Sequence, residues 1–150
     1  MATLSGTLLV SPALLRAYRR TSYIAAGVVV RIGRRSAEMD ALLGGMAAPA
    51  GGFITAWNPR SQRMPAGWNR RMQRALSART RRLPCLTGQG SGNGWSEEHL
   101  LVAADPRRLL VLARRFRQLG IVVVRRGRPA RLVLLSWPVS PGRTRPGGER

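Results

Sequence analysis

A chain of 150 residues has the size of one compact domain, and its charge is one-sided: 26 basic against 6 acidic residues, a formal net charge of +20. All 26 cations are arginine, which excludes a Walker-type phosphate lysine, a Schiff-base lysine for a pyridoxal cofactor and a kinase-type lysine. The single His99 and single Cys85 exclude a multi-ligand His/Cys cage within one chain, so neither a metal nor a cofactor is expected.

Residues 1–10 are expected to be a flexible N-terminus. They are apolar but have no basic leading region, and Pro12 interrupts the run, unlike a secretory signal. No apolar run approaches the ~18 residues of a membrane span. Ser11-Pro12 reads as an N-cap with proline at the first helical position, opening a helix through about Arg19. Tyr23 to Ile32, rich in β-branched residues, reads as a buried strand. Ser36 caps a second helix, with Glu38 and Asp40 in its first turn and Gly44-Gly45 at its end. Phe53 to Trp57 is the next strand, stopped by Asn58-Pro59.

A helix from about Pro65 to Leu83 puts Trp68, Met72, Ala75, Leu76 and Leu83 on one face. Gly88 to Gly94 reads as a flexible loop before a strand through Leu100, Leu101 and Val102. Asp105-Pro106 starts a helix with Leu109, Leu112, Ala113, Phe116 and Gly120 on one face, and Gly120 suits its C-cap. Ile121 to Val124 and Arg131 to Leu135 form a closing hairpin around Arg125 to Pro129. The order, a helix then β-α-β-α-β-α-β-β, argues for a single α/β layered domain over residues 11–137. It leaves the strand order open. Residues 138–150 are expected to be a disordered Pro/Gly/Arg tail.

Several islands carry a resemblance: Ala17-Tyr18 with Tyr23, Ile54-Thr55-Ala56-Trp57-Asn58-Pro59 and Asn69-Arg70-Arg71. Further on come Trp95-Ser96-Glu97-Glu98 with Leu100-Leu101-Val102, and Arg115-Phe116-Arg117-Gln118. In this order they resemble a bacterial family known as domain of unknown function 3293, over about residues 17 to 135. Two departures stand out. The family usually has glutamate before Asn69, where this chain has Trp68, and Gly-Gln-Asn after Phe116, where it has Arg117-Gln118-Leu119. The resemblance implies one domain of bacterial type and lends no activity.

Thr55, Trp57, Asn58, Asn69, Glu97 and Gln118 are candidates to line one polar pocket, since α/β proteins place ligand groups at strand ends. The competing reading makes Asn58-Pro59 a turn whose asparagine bonds its own backbone. Gly88, Gly90, Gly92 and Gly94 offer amides for a phosphate, but Asn93 stands where a dinucleotide fingerprint needs its third glycine. Adjacent Glu97 and Glu98 point to opposite faces of a strand and make a poor catalytic pair. His99 reads as a surface residue or local hydrogen-bond partner, and Cys85 as an inert reduced thiol consistent with a cytoplasmic protein.

Arginines give the other candidate surface. Arg70, Arg71 and Arg74 decorate one helix, Arg107, Arg108, Arg114 and Arg115 the next, and Arg125 and Arg126 the final turn. Guanidinium groups pair well with phosphate oxygens. The first functional expectation is therefore contact with RNA, DNA or another polyanion through its backbone. The alternatives are a small enzyme or ligand-binding domain built on the polar pocket, and an adaptor for an acidic protein.

Overall fold

A computed structural model describes residues 10–136 of the chain. The element order is α1 (Pro12–Arg20), β1 (Ser22–Ala25), β2 (Val28–Val30), α2 (Ala37–Gly45), β3 (Ala50–Ile54), a 3-10 turn (Pro59–Ser61), α3 (Ala66–Thr80), β4 (Cys85–Gly92), β5 (Trp95–Val102), α4 (Pro106–Arg115), β6 (Gly120–Arg125) and β7 (Arg131–Leu134). Three helices start on the expected caps. Ser11 Oγ accepts from Leu14 N, Ser36 Oγ from Met39 N and Asp105 Oδ1 from Arg107 N.

The protein is a mixed α/β fold whose seven strands run β2-β1-β4-β5-β3-β6-β7, every neighbouring pair antiparallel. The sheet curls until its edges touch: Ile32, past β2, bridges Ala130, before β7. Gly33 N donates to Ala130 O at 2.7 Å and Ala130 N to Arg34 O at 3.0 Å.

The expected β-α alternation does not hold in detail, because two further hairpins interrupt it. The single strand over Tyr23–Ile32 is two strands, β1 and β2. Ala26 and Gly27 turn the chain at φ of 48° and 74°, the pair of positive values that a type I′ hairpin requires. The Gly88–Gly94 loop is the strand β4, paired with β5 from Cys85↔Val102 to Gly92↔Trp95. The strand around Phe53 starts earlier, at Ala50, and has left the sheet by Thr55. Gly120 opens β6 rather than capping α4, whose C-cap is Phe116 and whose left-handed residue is Arg117 at φ 56°. The expected tail over 138–150 and the expected flexible N-terminus, Val10 excepted, lie outside the described residues.

Both faces of the sheet are covered. Ile54, Leu100, Val102, Ile121 and Val123 pack under α3 and α4 with Leu76, Leu109, Ala113 and Phe116. Their strand neighbours Phe53, Leu101, Val122 and Val124 face the other way, against Tyr23, Met39 and Leu43. Alternation with period two sends successive side chains into two separate cores. The central strands therefore read as unbroken apolar runs despite antiparallel pairing. Among the described residues no helix is long and apolar enough to cross a membrane.

Candidate ligand-binding site

Beyond β3 the backbone leaves the sheet in a loop with Asn58, Arg60 and Ser61 all in the left-handed region, at φ 45°, 53° and 59°. Each such non-glycine residue costs about 1–2 kcal/mol, so the surroundings must hold the loop in place. Asn58 and Asn69 do so. Asn58 N donates to Asn69 Oδ1 at 3.0 Å, and Asn69 Nδ2 donates to Asn58 Oδ1 at 3.0 Å and to Met64 O at 3.3 Å. Met64 N donates to Asn58 Oδ1 at 2.9 Å, and Asn58 Nδ2 donates to Glu97 Oε1 at 2.7 Å. Asn58 thus closes the loop over residues 58–64 and grips β5, instead of bonding its own backbone two residues on.

α3 turns a polar stripe inward. Its buried residues are Asn69, Gln73, Leu76 and Thr80, while Ala75, expected on the apolar face, is exposed and Trp68, Met72 and Leu83 are half-buried. Gln73 Oε1 accepts from Ala56 N at 2.9 Å. Thr55 Oγ1 accepts from Trp57 N at 3.1 Å and donates to Glu98 O at 2.7 Å. From beyond α4, Gln118 Nε2 donates to Trp57 O at 3.0 Å. The polar candidates therefore hold one loop together: Thr55, Trp57 and Asn58 belong to it, Asn69 reaches it from α3, Glu97 from β5 and Gln118 from beyond α4.

The glycines of β4 sit against two of the rings that line the cavity, Trp95 and His99. Gly88, Gly90 and Gly92 recur with period two and share one strand face. A Cβ on Gly90 would stand 2.9 Å from His99 Cε1, and one on Gly92 would stand 2.5 Å from Trp95 Nε1. The side-chain-free stripe lets these two rings lie flat against the strand. The glycines form no phosphate-cradling loop here.

His99 is buried, not on the surface. Its Nδ1 lies 3.0 Å from Glu97 O, a carbonyl that only accepts, so Nδ1 carries the proton and Nε2 keeps a lone pair. Burial pushes its pKa down to about 4, against a small opposing effect of that hydrogen bond.

These groups converge on a half-open cavity of about 630 Å³. Thr55, Trp57, Asn58, Asn69, Glu97 and Gln118 all line it, joined by Tyr18, Tyr23, Phe53, Trp95 and His99. Among its described lining residues Glu97 is the one carboxylate and Arg63 the one guanidinium. Glu98, next in sequence, is exposed, as expected for the opposite strand face. Burial, with a smaller contribution from the Glu97 charge, pushes the Tyr18 phenol up to about 12; burial raises the Tyr23 pKa as well. Both phenols therefore stay protonated at neutral pH. Trp57 Nε1 is buried with no hydrogen-bond partner among the described residues.

Tyr18, Tyr23, Trp95 and Arg63 were not among the pocket candidates read from sequence. The period-two glycines opposite Trp95 and His99 were the available signal for flat rings in the cavity lining.

The arginine candidates divide. Arg70, Arg71 and Arg74 on α3 and Arg107, Arg108, Arg114 and Arg115 on α4 are exposed on helices that pack on one sheet face. Arg107 is paired with Asp105 at 2.9 Å, and Arg114 Nη1 donates to Ser136 O at 3.2 Å. Arg125 and Arg126 stand at the β6–β7 turn, and the Arg126 guanidinium lies over Gly44 of α2, on the opposite side of the sheet. Arg125 lies near enough to Asp105, at the start of α4, for its charge to act on that carboxylate, so Arg126 is the candidate placed on the α2 side.

No curated protein and no solved structure matches the chain. The islands at Ala17-Tyr18 and Tyr23 lie outside the segment that does find a match. Residues 54–121, which carry the strained loop, Asn69, Glu97, His99 and Gln118, match the model of the family described as protein of unknown function (DUF3293), and that is the family this chain resembles.

Proposed function

We propose that the protein is a ligand-binding domain whose cavity takes a small organic molecule with a planar ring. One observation carries this reading: five of the chain's eight aromatic residues (Tyr18, Tyr23, Phe53, Trp57 and Trp95) line the cavity that also gathers the six polar candidates. Small-molecule sites of about 300–1,000 Å³ combine aromatic walls with a few convergent polar groups in this manner. The flat rings favour a flat ligand, and Glu97 and the His99 lone pair favour N–H or O–H donors on its edge. A screen of planar heterocyclic fragments, read by ligand-detected NMR and tryptophan fluorescence, tests it. Hits are expected to weaken in Glu97→Ala and Trp95→Ala, and a screen without hits opposes the reading.

A second reading, backbone contact with RNA or another polyanion, is favoured by the exposed arginines that α3 and α4 carry on one sheet face. Binding through phosphates alone weakens steeply with added salt. Titration of a single-stranded RNA at rising ionic strength separates it from the first: Arg70→Gln, Arg71→Gln and Arg74→Gln together should flatten the salt dependence and leave fragment binding intact.

A further inference from the structure

A second hollow of about 620 Å³ adjoins the aromatic cavity, and the two share Ala17, Thr21 and Trp95 as a common wall. Its character is opposite. Where the first holds rings and a carboxylate, the second holds the guanidinium groups of Arg20, at the end of α1, and Arg31, just past β2. Arg31 Nη1 donates to Arg20 O at 3.5 Å, which keeps the two residues together. Neither is among the salt bridges of the described residues, which are Arg35 with Asp40 and Arg107 with Asp105. Both side chains line one hollow with no carboxylate partner among the described residues, and their guanidinium groups present donors suited to phosphate oxygens. Ser22, Ser91 and Asn93 add neutral polar groups to the lining of the same hollow.

We propose that the two hollows form one nucleotide site, with the base in the aromatic cavity, the sugar passing Trp95 and the phosphate on Arg20 and Arg31. This rests on the reading of the cavity as a ligand site and names the ligand's chemical class. Bases stack on aromatic side chains whatever their identity. Glu97, an acceptor, selects a base edge that donates, and guanine alone of the four common bases offers two adjacent N–H donors there. Phosphate on the arginine pair also relieves part of the self-repulsion of a chain at +20.

Calorimetric titration of the full chain at low salt with GMP, guanosine and a guanine-containing RNA pentanucleotide lacking terminal phosphate tests the proposal. GMP is expected to bind on the order of tenfold tighter than guanosine. The double variant Arg20→Gln with Arg31→Gln should bring that ratio close to one. Arg79→Gln, outside both hollows, should preserve it, and Glu97→Gln should weaken GMP and guanosine alike. Tighter binding of GMP than of the pentanucleotide identifies a free nucleotide as the ligand; the reverse order identifies a nucleotide within a strand, and either supports the site. Equal affinity for GMP and guanosine overturns the nucleotide assignment while leaving the aromatic cavity as a ligand site. Failure of GMP and guanosine in a protein that binds planar fragments overturns it too, and failure of fragments as well overturns both readings.

Discussion

Asn58 and Asn69 hold one another through both ends of an amide: the side chain of Asn69 accepts from the Asn58 backbone and donates to the Asn58 side chain, each at 3.0 Å. The exchange joins the strained loop after β3 to the first turns of α3, and the Glu97 contact extends it to β5. Asn69 is only 3% exposed, so its polar atoms have no solvent to fall back on. Asn69→Ala leaves Asn58 N and Oδ1 without these partners, and should destabilise the fold by about 2–3 kcal/mol. Urea denaturation measures this. A loss below about 0.5 kcal/mol, within the range of a neutral surface change, contradicts the anchoring role.

The chain has one histidine, and its titration is therefore readable in isolation. The His99 pKa falls from 6.5 to about 4 on folding because burial disfavours the imidazolium. Between those values the unfolded chain binds the proton and the folded one does not, so stability falls as pH drops from 6.5 towards 4. At neutral pH the contribution is complete. The loss across the window is about 3 kcal/mol. NMR titration of the imidazole and denaturation at pH 7 and pH 4.5 check it, and a midpoint near 6.5 in the folded protein is the contrary result. His99→Phe should remove this component of the pH dependence.

Two glycines of β4 should differ on substitution although both face rings. Gly90→Ala puts a methyl 2.9 Å from His99, a buried ring whose open side is the cavity, and should cost about 1–3 kcal/mol. Gly92→Ala meets Trp95, but that side chain is 44% exposed and swings aside, so its cost should be smaller. Thermal melts of the two variants decide. Gly90→Ala should also weaken ligand binding by displacing a ring that lines the cavity.

Arg117 sits at φ 56°, where the resembled family usually carries glycine. Its carbonyl accepts from Arg60 N at 2.7 Å, so one left-handed residue supports another across the loop. Arg117→Gly relieves the Cβ strain without touching that bond and should stabilise by about 0.5–1 kcal/mol. A lowered melting temperature for this exposed position is the result that speaks against the strain argument.

The helices were legible because caps and proline are local signals: Ser11, Ser36 and Asp105 each accept the backbone bond their positions require. β4 was not, because Gly88, Gly90 and Gly92 have the composition of a loop. Only their spacing and the rings they face make them a strand. The β1–β2 turn was missed for a related reason, since Ala26 occupies a position that normally advertises itself with asparagine or glycine. Asn69 and Gln73 point inward against the apolar periodicity of α3, because their amides satisfy the backbone of residues that have left the sheet. Thr55, Asn58, Asn69, Glu97 and Gln118 line one cavity, and the helix face that brings Asn69 there is not the apolar face marked by Trp68, Met72 and Ala75.

The bridge between Ile32 and Ala130 joins the two ends of a seven-strand sheet, and so links positions nearly a hundred residues apart in the chain. Closing a loop of that length carries an entropic cost before the contact gives any return, which makes it a late event in folding. Until it forms, β2 and β7 are the two open edges of the sheet, each paired on one side alone. Unpaired apolar edges are the surfaces on which chains recruit one another into aggregates. The clasp therefore acts as a kinetic safeguard: how fast it shuts sets how long the nascent sheet is open to a second copy.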